Sequence, residues 1–552
     1  MSKMKLKIIP LGGLGEIGKN MAAVEYGDDI LVIDCGLMFP DEEMLGIDLV
    51  IPDPSYLVEN QSKIRGIAIT HAHEDHIGAL PYILPQLNVP VFCTRLAKGL
   101  ISNKLKEHKA LAQAKINVVS SGGSFNAGVF RVEFFPVCHS IPDAVGLIIH
   151  TPAGIIVHTG DFKLDYTPVS GIPTDLSRLA QVGSQGVLLL MADSTYAEAP
   201  GYTPSEKVVG EALDNIIANA PGRVLVTTFA SLISRMQQII DAAARHHRRV
   251  FVIGRSMTDN VRISSELGYL KLPPGVMGTI DELAHTPKDR TVIITTGSQG
   301  EPTSGLVRIA NQASKQVSII RGDTVVISAS PIPGNESLVN RTIDALFKLG
   351  AEVYSGTRTN AHVHGHASQE ELKLVMTLTK PRYFLPVHGE YRHLAMNAKL
   401  AQSIGIPAER TFVMEDGDIL ELDAASARVN GKVTSGNVYV DGLSVGDISG
   451  VILRNRRMLS RDGIVVAIVA LNKQSGKLVG RPDIVSRGFV DVIESRDMLE
   501  GGKDMLTEVL NHGRTHSTDR GFVENEVKNA LDRYFYEKTK RRPMILPVLV
   551  QV

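Results

Sequence analysis

Between His71 and His76 the chain reads His-Ala-His-Glu-Asp-His, and Thr70 precedes it. Imidazole and carboxylate are the side chains that hold borderline divalent cations such as zinc near neutral pH. A helix would set His71 and His73 roughly 200° apart, so one helical ligand face is excluded. On a loop leaving the apolar run Ile64 to Ile69, His71 and His73 can point one way while Asp75 and His76 turn to a second point. That spacing suits two adjacent metals. With 17 histidines in 552 residues, chance clustering accounts for it poorly.

The elements that must aim these side chains lie on both sides. Gly13-Leu14-Gly15-Glu16-Ile17-Gly18 matches a dinucleotide-binding fingerprint, which requires a helix to open at its end. Met21 to Tyr26 and Ile30 to Ile33 instead read as short strands around Gly27-Asp28-Asp29, so a β-meander is expected and NAD is not. Asp34 ends the second of these strands, and the acidic loop Asp41-Glu42-Glu43 follows. Residues 78–118 read as helical with an interruption at Pro90 to Thr94. Val132 to Val137 is a strand closed by Cys138-His139-Ser140. Ile155 to His158 is another, leading through Thr159-Gly160 to Asp161.

The next stretch changes pattern. Amphipathic helices at Ser205 to Ala220 and Ser231 to His247 alternate with apolar strands. These fall at Val224 to Thr228, Arg249 to Gly254, Thr291 to Thr295, Thr324 to Ser328 and Glu352 to Ser355. Such alternation predicts a parallel sheet covered on both faces, a second α/β domain inserted into the first. Several of its strands end in polar, glycine-rich loops, where ligands bind in open α/β sheets. Ser231 is placed to cap the helix after it, leaving N–H groups that suit a phosphate. The insertion closes with His362-Val363-His364-Gly365-His366, and Arg382 to Val387 is a strand ending at His388.

The length allows two to four domains, and a 43% hydrophobic chain of net charge −1 has ample core. No run of about 18 apolar residues and no signal-peptide core occur, so no membrane association and a cytoplasmic location are expected. Cys35, Cys93 and Cys138 are too few for a disulfide framework and suit a reducing compartment as small buried groups. The charge balance argues against a broad basic surface and leaves room for a narrow positive channel.

His-x-His-x-Asp-His resembles the signature of the metallo-β-lactamase superfamily. Four further motifs carry the likeness across the whole chain: Leu11 to Asn20, Thr296 to Glu301, Ala329 to Glu336 and Pro386 to Glu390. With them the sequence closely resembles the ribonuclease J family of the β-CASP branch. The resemblance implies a multidomain α/β and α+β protein. A metallo-β-lactamase αββα sandwich would span 1–205 and 359–448, with a β-CASP domain inserted at 206–358. A linker at 449–463 would lead to a small α+β domain at 464–552. The implied activity is metal-dependent 5′→3′ exonuclease and endonuclease action on RNA, in rRNA and mRNA maturation and decay.

On this resemblance His71, His73 and His139 would hold one divalent metal (zinc or manganese), and Asp75, His76 and His388 a second, with Asp161 bridging. Asp34 would orient the ligand loop. His366, set by Asp193, would give a proton to the leaving oxygen. His362, Val363, His364, Gly365 and His366 match a family loop that holds the RNA phosphate, although His364 stands where the commoner form has serine. Ser231, Leu232 and Ile233 match another substrate contact, and Asp441 a position associated with a structural calcium. The implied partners are single-stranded RNA with a 5′-monophosphate end, a second or further copies as homodimer or homotetramer, and other RNA-decay enzymes. Lys538, Lys540, Arg541 and Arg542 read as a solvated charged turn.

Three rival readings remain. A small-molecule metallohydrolase fits the metal motif, but an inserted domain would wall off its metals. A DNA nuclease shares the fold. A catalytically silent scaffold subunit would be expected to lack ligands, and none is lacking here.

Overall fold

A computed structural model of the chain describes residues 4–41, 43–301, 304–331, 335–356, 359–442, 444–491, 493–512 and 520–552. Ile332, Pro333 and Gly334 of the loop after Thr324 to Ser328 therefore lie outside the described residues. The chain divides into two compact units, one of 1–39 with 49–438 and one of 40–48 with 439–552.

The first unit holds two facing sheets and a third, separate one. The eight-stranded sheet begins as a meander: Leu6–Gly12 pairs antiparallel with Met21–Tyr26, which pairs antiparallel with Asp29–Ile33. From there it continues parallel through Ile64–Ala68, Val91–Cys93 and Ile116–Val118. Its other edge is Asp418–Leu422 and Ala427–Lys432. The expected meander is present, and the glycine motif opens no helix. The segment read as helical over 78–118 is part strand. Leu80–Leu87 and Arg95–Glu107 are α-helical on either side of the expected interruption, which forms the strand Val91–Cys93, while Ile116–Val118 joins the sheet as its edge strand where helix was expected.

The six-stranded sheet runs Ser124–Ala127, Phe130–Pro136, Val145–Thr151 and Gly154–His158 antiparallel, then adds Val187–Asp193 and Tyr383–Val387 in parallel. Leu6, Ile8, Val24, Leu31 and Ile33 from one sheet share a core with Val132, Phe134, Leu147, Ile149 and Leu189 from the other. Alternation along each strand sends every second residue into that core. On the outer side, helix Gln369–Thr379 packs on Val187–Asp193 and Tyr391–Ser403 packs on Tyr383–Val387.

The inserted sheet is wholly parallel, in the order Arg249–Ile253, Thr291–Thr295, Val224–Thr227, Thr324–Ile327, Glu352–Tyr354. Val224 and Val226 belong to one hydrophobic cluster and Leu225 to another, so both faces are covered, as the pattern predicts. The following helix starts at Ile233, and Leu232 rather than Ser231 occupies its cap position, with no side-chain cap bond. The Ser231 cap is thus corrected. A tight turn in which Ile233 N–H donates to Ser231 O shifts the helix start by one residue.

The second unit packs helices Arg496–His512 and Arg520–Thr539 on a sheet of Asp483–Arg487, Ile464–Leu471 and Met544–Gln551. Val465, Val469, Leu506, Val527, Leu531 and Phe535 form its core. Two readings change here. The strand expected at Gly488 to Ile493 lies at Asp483–Arg487, ended by the left-handed Gly488 (φ +68°). The segment 449–463 contains a 13-residue helix, Gly450–Asp462, stopped by Gly463. Among the described residues, no helix is long and apolar enough to cross a membrane.

Candidate metal centre

His366 apart, every residue of the centre leaves the carboxyl end of a strand at one edge of the two facing sheets. Asp34 follows Asp29–Ile33, His71 to His76 follow Ile64–Ala68, and His139 follows Phe130–Pro136. Asp161 follows Gly154–His158, Asp193 ends Val187–Asp193, and His388 follows Tyr383–Val387. Such an edge is where α/β sheets present ligands. The His cluster is a loop that tightens into one helical turn, Glu74–Ile77.

Two groups of ligating atoms result, each within 4.8 Å of one another. One is His71, His73, His139 and Asp161; the other is Asp75, His76, His388 and Asp161, so Asp161 is common to both. His71 Nε2 and His139 Nε2 lie 3.0 and 3.1 Å from His73 Nδ1. Asp161 Oδ2 is 3.7 Å from His71 Nε2 and 3.3 Å from His76 Nε2. Asp75 Oδ2 is 3.5 Å from both His76 Nε2 and His388 Nε2. A third group, Asp161, Asp193, His366 and His388, overlaps the second. There the Nδ1 of His366 is already bonded to Asp193 Oδ2 at 2.7 Å.

Neighbours aim each ring. Asp34 takes the Thr70 N–H at 2.8 Å, the Thr70 hydroxyl at 2.9 Å and His76 Nδ1 at 2.8 Å, which turns His76 Nε2 inward. Gly365 O accepts from His139 Nδ1 at 2.7 Å and does the same for that ring. Gly36 allows the loop to dock, since a Cβ there would stand 1.6 Å from Asp75 O. The glycine motif also serves the site. Leu14–Gly15 pairs with Gly389–Glu390 beside His388, and Asn20 Nδ2 donates to Asp75 O at 3.1 Å. Asn20 and Thr70 were missed by residue chemistry alone, although both stand inside motifs quoted for other reasons.

The donor set fits divalent cations. Burial holds the His71 and His139 imidazoles well below their ordinary range and His73 down at about 4, so their lone pairs are free to donate. Burial also opposes charge on His76, yet Asp161, Asp75 and Asp34 drive its pKa well up. His388 Nε2 is buried with no hydrogen-bond partner, although its Nδ1 is 2.8 Å from Asp161 Oδ1. Among the described residues, no Lys or Arg pairs with Asp34, Asp75, Asp161 or Asp193. Converging imidazole lone pairs and carboxylates with no Lys or Arg among them form a donor set suited to cations from outside the chain.

The family models match in tandem. The metallo-beta-lactamase superfamily covers 14–221, the ribonuclease J beta-CASP domain 221–346, the Zn-dependent metallo-hydrolase RNA specificity domain 350–410 and the ribonuclease J C-terminal domain 451–552. "Ribonuclease J 1" of Streptococcus pyogenes is 44% identical over 98% of this chain and 97% of its own. The chain belongs to the ribonuclease J family. "Ribonuclease J" of Thermus thermophilus is 45% identical over 99% and 95%, and "Ribonuclease J2" of Bacillus subtilis 41% over 99% of both. A crystal structure of a protein of unknown function from Enterococcus faecalis shares the fold, with a TM-score of 0.54 at 17% identity, covering 76% of this chain and all of that one.

The other residues singled out from the ribonuclease J motifs fall in different surroundings. Along 361–366 burial alternates: His362, His364 and His366 are partly exposed, while Val363 enters the inserted domain's core and Gly365 backs onto His139. Leu232 and Ile233 are also buried apolar side chains, and their N–H groups already donate to Phe229 O and Ser231 O. Asp441 lies in the second unit, ion-paired with Arg456 at 2.6 Å. Among the described residues, no group of three or more His, Cys, Asp or Glu ligand atoms includes it. The three cysteines are free and buried, in keeping with small core groups.

Proposed function

We propose that this chain hydrolyses RNA phosphodiesters as a two-metal ribonuclease, both 5′→3′ from the end and internally. The observation that carries the reading is the pair of ligand groups sharing Asp161, closed by a histidine 227 residues further along. His71, His73 and His139 would hold one cation and Asp75, His76 and His388 the other. Such cations, zinc or manganese, supply a water acidic enough to attack at neutral pH and neutralise the phosphate's charge.

The protein's own side chains do the rest. Water attacks phosphorus, the bond from phosphorus to the 3′-oxygen breaks, and the downstream piece keeps a 5′-phosphate. The leaving 3′-oxygen takes a proton from His366 Nε2, and the proton released by water passes to solvent. Burial disfavours charge on His366, but Asp193, Asp161 and Asp75 raise its pKa to about 9, so it is a proton-loaded acid. Cations bound beside it would draw that value back toward neutrality. Asp193 is fixed in turn, its Oδ1 accepting from Thr195 N–H at 3.0 Å and Oγ1–H at 2.8 Å.

Matched RNA and DNA oligomers with 5′-monophosphate, 5′-triphosphate and 5′-hydroxyl ends, digested with Mn²⁺ or Zn²⁺, test the proposal. RNA cleavage leaving 5′-phosphates is expected. Preferential DNA cleavage would turn it to a DNA nuclease, and no cleavage of either across a metal titration would restore the scaffold reading. Self-association is part of the proposal, supported by exposed Ile468, Val485, Leu546, Val548 and Val550 on the sheet of the second unit. Burial of all three thiols supports work in a reducing cytoplasm.

A further inference from the structure

One aromatic contact beside the metal centre has no part in the chemistry above. Tyr196 stacks on His364 with ring centroids 3.6 Å apart and planes 8° from parallel. The same ring lies 5.9 Å from His366, within 13° of parallel, the separation of an offset stack. His364 is tied down in turn, because its Nδ1–H donates to His366 O at 2.9 Å. Burial keeps the His364 imidazole neutral, its pKa pushed down to about 4.

The bond from His366 Nδ1 to Asp193 restrains the ring through a single hydrogen bond, and any remaining turning of its plane is left to packing. His139 and His388 meet His366 nearly edge-on, at 67° and 77°, and present no flat surface against that turning. Tyr196 presents one. It also sits three residues beyond Asp193, so one turn of chain delivers both the hydrogen bond and the flat ring. We propose that Tyr196, braced by His364, is a positioning residue that sets the plane of His366 so that Nε2 meets the leaving 3′-oxygen. This rests on His366 being the proton donor. The ring does the work here and the hydroxyl does not, which separates Tyr196 from a hydrogen-bonding tyrosine.

The test compares the full-length, metal-loaded protein on two RNA substrates, one ordinary and one with sulfur replacing the bridging 3′-oxygen at the cleaved bond. A thiolate leaves without a proton, so a defect in proton donation disappears on that substrate. Tyr196→Ala is expected to lower kcat on the ordinary RNA about ten- to a hundredfold, with KM and bound metal unchanged. It should cleave the sulfur substrate at the wild-type rate. Tyr196→Phe should recover most of the loss, and Tyr196→Ala should add nothing in a His366→Ala background. Equal losses on both substrates, a rise in KM alone, or additive losses with His366→Ala would overturn the inference. If His366→Ala itself cleaves ordinary RNA at the wild-type rate, the acid assignment fails and this proposal with it. A slow His366→Ala beside an unimpaired Tyr196→Ala sinks only the positioning role.

Discussion

Asp34 and His388 both hold left-handed backbone, at φ +58° and +55°, a conformation that side chains other than glycine adopt rarely. Both sit just past strand ends, where the chain must turn within one residue to aim Asp34 at Thr70 and His76 and His388 at Asp161. Strain of this kind persists where surrounding bonds over-determine it, and Asp34 has three such bonds to Thr70 and His76. Removing a ligand should therefore empty the centre while sparing the fold. His388→Ala and Asp75→Ala are expected to lose at least about a thousandfold in RNA cleavage. Bound metal measured by mass spectrometry should fall, with an unchanged far-ultraviolet dichroism spectrum. Near-wild-type turnover by either would remove it from the ligand set. His366→Ala should differ, losing about a hundred- to ten-thousandfold in kcat with metal retained. Depleted metal would make His366 a ligand.

Elements hold these residues by close approach and by buried charge. A Cβ at Gly36 would collide with Asp75 O, so Gly36→Ala should push the ligand loop outward and weaken metal binding at least tenfold by calorimetric titration. A second device lies beneath the loop 361–366. Arg235, without exposure, donates to Glu206 Oε2 at 2.7 Å and to Ala361 O at 3.0 Å, while Lys163 Nζ is 3.6 Å from Glu206 Oε1. Burial alone would raise the Glu206 carboxyl, but Arg235 and Lys163 hold it below its ordinary 4.5. Its stabilising effect is thus complete above pH 4.5 and fades as pH falls through its lower folded value. Glu206→Ala leaves the buried Arg235 without a carboxylate and Lys163 with Asp165 alone, at 3.9 Å, and should cost about 3–5 kcal/mol, read by denaturant titration. Glu206→Gln should flatten the loss of stability below pH 4.5; an unaltered acid limb would show that the network carries no proton linkage.

Over the whole molecule, what was legible in the sequence was local. Strand-end histidines, the switch from meander to alternating strand and helix, and the motif order all survive in the structure, because each is set by residues near in sequence. The misreadings share the opposite cause. Ile116–Val118 became a strand because a sheet edge awaited it, and Ser231 lost its cap role to a turn one residue long. The Tyr196 stack joins residues 168 positions from each other, the separation of 196 and 364, and no spacing rule reaches that far. Cations that bind only the assembled edge must also stabilise it. Chelation should lower the melting temperature, and Mn²⁺ or Zn²⁺ at a hundred times its dissociation constant should restore about 2.7 kcal/mol. A melting curve indifferent to chelator would mean the centre is rigid without metal.

His388 joins Asp161 across 227 residues, and between them an entire domain must be synthesised. A nascent chain still lacking that last histidine carries an incomplete centre, however well its early strands have folded. With His388 as the final ligand, such a nuclease would stay inert on the ribosome that makes it, its own message beyond its reach until translation has passed that residue.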